Sequence, residues 1–226
     1  MSQNTGSELD TPVLAVPQTR VPKLSSLCSF GLTQLVMTGA LRQVFCQHFA
    51  DPENLISESL RTTMRREGAW REGPESGLQI ESLGRWRPEL TEARPGIIIK
   101  SGEWTWLRVG IGDQAGADLR SGRRSFGGFW QGTHTIFALG NEGAETQVLA
   151  AEVAKVLLWF GPVIADQLCL QRFLIVSIGE LAALEESTEN YVVPINIGYV
   201  APEEWFLQDD APRLKRIEFR ASAILQ

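Results

Sequence analysis

The chain has 226 residues, with 43% hydrophobic and 21% charged side chains and a formal net charge of -6. That length and balance suit one soluble domain with elaborations and leave ample apolar material for a core. The acidic balance excludes a global basic field for nucleic acid, so any such contact has to come from a local patch. Cys28, Cys46 and Cys169 are odd in number and lack C-x-x-C spacing. Neither a disulfide framework nor a thiolate metal cluster is expected, and a reducing compartment fits.

Residues 1–26 read as an extended N-terminal arm, because Pro12, Pro17 and Pro22 forbid a regular helix. The arm lacks the basic start and apolar core of a secretory signal. The remaining 27–226 read as one α+β domain. A helix is predicted over Thr33–Phe49, with Leu35, Val36, Leu41, Val44 and Phe45 near helical spacing. Gln34, Arg42, Gln43 and Gln47 interrupt it too early for a membrane span of ~20 residues, so no membrane is expected. Asp51-Pro52 reads as the cap and first position of a second helix, "ENLISESLRTTMRRE", with Arg65 and Arg66 in its last turn.

Strand signals follow. "LQIESLGRW" alternates, and "RPGIIIKSGEWTWLRVGIG" reads as two strands around a turn at Ser101-Gly102. The Gly/Arg-rich segment about 112–128 is expected to be a long flexible hairpin loop. "FWQGTHTIFALG" reads as a strand and "AETQVLAAEVAKVLLWF" as the main helix, with Leu149, Val153, Val156, Leu157 and Phe160 on one face and Gly161-Pro162 as its end. "LQRFLIVSIGEL" and "ENYVVPINIGYVAPEEW" read as further strands, Pro194 placing the latter at an edge or bulge. Without regular βαβ alternation, the order points to a mostly antiparallel sheet with the long helix packed on one face.

Catalytic and ligand-binding signals are weak. His48 and His134 have no partner at metal-ligand spacing, and His134 reads as a structural or interface residue. Glu142, Glu145 and Glu152 read as helix-start and outward-facing residues. Gly110, Gly112 and Gly116 miss dinucleotide spacing, and G-x-S-x-G is absent. No catalytic residue, metal or cofactor is therefore expected. Arg120, Arg123 and Arg124 form a cationic finger suited to DNA or to an acidic neighbouring subunit, or else a solvated loop tip. Among seven tryptophans, Trp104 and Trp106 share one strand face. These two, with Trp130 and Trp205, are either core residues or interface anchors.

The run from "GGFWQGTHTIFALGNEGAETQVLAAEVAKVLLWFGPVI" to "VVPINIGYVAPEEW", preceded by the leading helix, resembles the tail terminators and related neck proteins of tailed bacteriophages. The resemblance covers roughly Leu32 to Trp205 at the level of element order, without a diagnostic motif. It implies a homo-oligomeric ring of six subunits in the virion neck, assembled in the bacterial host cytoplasm. Such a ring caps the tail tube and docks the head-completion or connector proteins, with a contact to channel DNA open to the Arg loop. The alternatives are a head-tail stopper or adaptor, and, further off, a small enzyme or nucleotide-binding protein using His134 and Gly110–Gly116.

Overall fold

Among the residues that the computed structural model describes (32–73, 76–85, 95–108, 110–117, 124–184 and 187–207), helices and a mixed sheet form two layers. The expected arm, the tail 208–226, Trp86, Arg120 and Arg123 lie outside the described residues. The helices are α1 (Leu32–Phe49), α2 (Glu58–Glu67) and α3 (Gly143–Gln167). The strands are β1 (Gln79–Ser82), β2 (Gly96–Arg108), β3 (Gln114–Ala117), β4 (Arg124–Gly140), β5 (Arg172–Ile178), β6 (Ala182–Leu184) and β7 (Ser187–Leu207). The sheet runs β1-β2-β4-β7-β5, with β3 also on β4 and β6 also on β7. Only β1 and β2 pair in parallel; the other pairs are antiparallel. The fold is thus α+β with a mostly antiparallel sheet and a long helix across one face.

Strand periodicity places the core. On β4, Ile136 and Ala138 stand on the face shared with Ile99 and Ile97 of β2 and with Ile195 and Val193 of β7. All six are buried. The helices supply the other half. Met37, Leu41, Phe45 and Phe49 repeat every four residues, so they share one side of α1, and all are at most 1% exposed. Each such side chain contributes about 1.5–3 kcal/mol of burial energy. Leu35 and Val36, read above as part of the apolar stripe, fall outside this repeat and are exposed. From α3 come Leu149, Val153, Val156 and Leu157, whereas Phe160 turns partly outward.

Several boundaries differ from expectation. Asp51 caps only a 3-10 turn, Pro52–Asn54, by accepting from the Glu53 amide; Ser57 caps α2 instead, through the Leu60 amide. The two strands expected around Ser101-Gly102 are one strand, β2, with a bulge between Ser101 and Trp104. Gly102 permits it, because a β-carbon there would overlap Thr133 of β4. The loop expected over 112–128 is largely strand: β3 pairs with the start of β4, which begins at Arg124. Helix α3 continues through Gly161-Pro162 to Gln167. Pro162 leaves the Leu158 carbonyl without its intrahelical donor, and Leu158 is 65% exposed, so water can reach that turn. Strand β7 lies inside the sheet, between β4 and β5, despite Pro194. The Pro194 carbonyl accepts from Gly179 on the β5 side, just past the end of β5. The missing proline N–H therefore faces the break between β5 and β6 and costs no ladder bond.

The helical layer is pinned by a carboxylate expected to face water. Glu152 of α3 is 0% exposed. Its Oε1 accepts from the Ile56 amide at 2.7 Å and lies 3.0 Å from His48 Nε2 of α1; its Oε2 accepts from the Ser57 amide at 3.2 Å. Burying a carboxylate is tolerable only with donors in place. One side chain thus joins α3, α1 and the entry to α2. The same helix is apolar enough, at mean hydropathy 1.8 over 18 residues, to match a membrane span by composition, yet half of that window is buried within the protein.

Glu152→Ala would leave His48 and two backbone amides without their acceptor in the interior. The expected loss is about 3–5 kcal/mol, as for a broken buried ion pair. Glu152→Gln should lose less, because its amide oxygen can still accept from one donor. Urea denaturation measures both, and an alanine variant within ~1 kcal/mol of wild type, the worth of an ordinary hydrogen bond, would remove Glu152 from this role.

Candidate interaction surface

Strands outreach the helices here. The 17 residues of β4 span roughly 55 Å at strand rise, whereas the 25 residues of α3 span roughly 37 Å at helical rise. The helix layer ends near the bulge in β2, where Gln34 of α1 donates to the Gly102 carbonyl at 3.2 Å. Past that point the same sheet face carries aromatic rings.

Register explains which ones. Trp104 stands opposite Gly132, and Trp106 opposite Trp130; across β4, Gly132 faces Tyr199, Gly128 faces Glu203, and Phe126 faces Trp205. Ring centroids follow in a chain: Trp104 to Trp130 at 5.7 Å, Trp130 to Trp106 at 4.8 Å, Trp106 to Trp205 at 5.9 Å, and Trp205 stacked on Phe126 at 5.7 Å. These spacings are those of favourable aromatic pairs. Two glycines of β4 make the bed. A β-carbon at Gly128 would collide with the Trp106 indole, and one at Gly132 with the Tyr199 ring. All four tryptophans are only half-buried, so the comb is neither closed core nor free surface.

At the foot of the comb sits His134, fully buried. Its Nδ1 lies 3.1 Å from the Tyr199 hydroxyl, and its Nε2 lies 2.9 Å from Thr38 Oγ1 and 3.4 Å from Ser101 Oγ. Burial lowers its pKa to about 4, against opposing backbone hydrogen bonds at Thr133 and Gln34. The imidazole is neutral at pH 7 and ties α1 to β2, β4 and β7. Burial also raises the Tyr199 hydroxyl. His134 thus has hydroxyl partners drawn from three other elements, a structural arrangement with no nucleophile-base-acid order.

The four tryptophans picked out by sequence come together in this comb; of the three arginines only Arg124 is among the described residues, exposed at the start of β4 opposite Ala117 and Leu207. Gly110 and Gly112 belong to a turn and Gly116 to β3, with β4 rather than a helix next in the chain. A depression of about 230 Å³ beside α3, lined in part by Glu67, Glu142 and Glu145, is acidic. Among the described residues no group of three His, Cys, Asp or Glu side chains could hold a metal ion. Burial pushes the Cys46 thiol up to about 11, which makes it inert at neutral pH.

Sequence reasoning missed a second surface. Leu158, Trp159 and Val163 are 65%, 59% and 47% exposed toward the C-terminal end of α3, and Phe160 is partly exposed beside them. They lie inside an all-apolar run, so local periodicity did not set them apart from the core. Gly161, on the inner side, packs against Phe173 of β5, so the C-terminal half of α3 lies over that strand. β5 is the last strand of the sheet among the described residues, and its Val176 and Ile178 are also more than half exposed.

Known protein families and curated proteins give no match to this chain. Its own surfaces therefore carry the functional reading.

Two outcomes are expected. His134 has a folded pKa below its unfolded value, so its contribution to stability is fully present above pH 6.5 and is lost as the pH falls through 4. The loss is on the order of 3 kcal/mol at full effect. The difference in melting temperature between wild type and His134→Gln should narrow from pH 7 to pH 4; a constant difference would contradict the depressed pKa. Separately, Gly128→Ala should cost about 1–3 kcal/mol through overpacking against Trp106 and shift the tryptophan emission. Unchanged stability and emission would mean that the indole does not rest on that backbone.

Proposed function

We propose that this protein is a structural subunit of a phage neck, a tail terminator that forms a ring, six-fold on the terminator pattern, capping the tail tube and offering a face to the head connector. The observation that carries the reading is the pairing of exposed apolar side chains on the long helix with an open sheet edge. β5 has no described strand on its outer side and leaves Val176 and Ile178 more than half exposed, and Leu158, Trp159 and Val163 are exposed on α3, the helix that lies over it.

An exposed edge of this kind is a liability in a monomer and is normally covered. Exposed large apolar side chains gathered on an edge strand and on the helix over it suit a partner's surface. The opposite end of the sheet supplies a different edge: β1 covers only Gly96–Ile99 of β2, and from Lys100 to Arg108 no described strand lies outside β2. Two unlike edges on one subunit suit the heterologous, head-to-tail contacts that close a ring. The element order, a leading helix, a hairpin, the main helix and further strands, supports the terminator assignment over a stopper or adaptor. In this reading the tail tube protein and the head-completion proteins are the partners, the neck of the virion is the location, and the protein works by shape and contact.

Leu158→Glu combined with Trp159→Glu should leave the fold intact by circular dichroism, because both side chains are exposed, and should abolish the ring. Electron microscopy and mass measurement of the protein on purified tails are the readouts. A six-fold ring lost in the variant supports the proposal. A ring that survives would move the interface elsewhere, and a twelve-fold ring beside the portal, or absence from purified virions, would overturn the terminator reading.

A further inference from the structure

We propose that the aromatic comb is a docking groove for the chain's own N-terminal segment, with residues 20–27 laid along Trp104, Trp130, Trp106 and Trp205. This inference does not rest on the ring reading.

Three observations converge. The first is where the chain leaves the described fold. Leu32 starts α1, and Gln34, one half-turn on, is bonded to Gly102, two residues before Trp104. The 31 residues that precede α1 thus connect at the foot of the comb. From Leu32, the nine residues back to Lys23 reach at most ~30 Å, and the comb from Trp104 to Arg108 rises only ~13 Å, so length is sufficient.

The second is composition. "PVLAVPQTRVPKLSSL" carries a proline every five residues, at Pro12, Pro17 and Pro22, with Val13, Leu14, Val16 and Val21 between them and Leu24 just after. Proline sets an extended, polyproline-type backbone that loses little entropy on binding, and aromatic-lined grooves are the surfaces that receive it. Half-buried indoles with ring centroids about 5–6 Å apart form such a surface.

The third is charge. Glu203 stands on the comb face opposite Gly128, in line with Trp205, and its Oε2 is buried with no hydrogen-bond partner among the described residues. Burial raises its pKa, as expected for a carboxylate lacking a cation. Residues 12–27 contain two cations, Arg20 and Lys23, and no acid. Lys23, four residues before Leu27 and ~12 Å from it in an extended chain, is the one that meets Glu203, which satisfies the carboxylate and fixes the direction of the segment, with Leu27 near Trp104 and Pro22 toward Trp205.

The test uses the full chain with p-benzoyl-phenylalanine in place of Trp106, irradiated in a mixture of nitrogen-14 and nitrogen-15 protein and mapped by mass spectrometry. The expected cross-link joins position 106 to a peptide within residues 20–27 of the same isotope. Cross-links to 208–226, cross-links between isotopes, or none to the segment would each overturn the proposal. A second arm leaves the comb untouched. Val21→Asp with Pro22→Asp and Leu24→Asp should red-shift the tryptophan emission and raise its quenching by acrylamide, and Glu203→Gln should weaken the cross-link. Emission and quenching identical to wild type in the triple variant would likewise sink it.

Discussion

A single buried carboxylate organises the helical layer. Removing a charge from water costs several kcal/mol unless donors replace the solvent, and Glu152 meets that demand with the His48 imidazole and the amides of Ile56 and Ser57. The donors come from two parts of the chain, the end of α1 and the entry to α2, so satisfying the charge fixes where α1 ends, how the chain re-enters α2 and which side of α3 faces them. The hydrophobic faces of α1 and α3 could cover the sheet at more than one setting. The charge cluster has only one setting with its partners in place.

That setting has a consequence for the rest of α3. With Glu152, Val153, Val156 and Leu157 turned inward, Leu158 falls on the opposite side of the helix. Trp159 and Val163, seven residues after Glu152 and Val156, continue the same side as those two and are exposed farther along the helix. A helix that is apolar nearly all round finds its second contact beyond its own subunit, which is the physical basis for reading the molecule as an assembling unit.

At the opposite end of the sheet the strands run past the helices, and the protein covers the overhang with indoles instead of another helix. Gly128 and Gly132 let Trp106 and Tyr199 lie flat on the backbone, which keeps this end thin. His134 marks the boundary between the two regimes. Below it the sheet face is aliphatic and dry; above it the rings are half-exposed. Its neutral imidazole, bonded to Thr38 and near Tyr199, joins the helix to the strands at that boundary.

Local patterns in the chain were enough for the α+β class, the existence of α1, α3 and most strands, and the shared face of Trp104 and Trp106, because periods of two and of about 3.6 are written into neighbouring residues. Strand continuity was harder. A glycine that reads as a turn at Gly102 is a bulge, and a proline that reads as an edge at Pro194 sits beside a break in the next strand, since both depend on what lies across the sheet. The least legible features were the most consequential. Glu152 looks like any helix glutamate until residues about a hundred positions away supply its donors. Trp130 and Trp205 become part of one comb only through the register of β4 with β2 and β7. Neighbouring residues alone settle which segments become helix or strand and that apolar material is plentiful. Which charge is buried, which apolar face is left for a partner and which rings meet were decided by the tertiary structure alone, because each is a relation between elements distant in the chain.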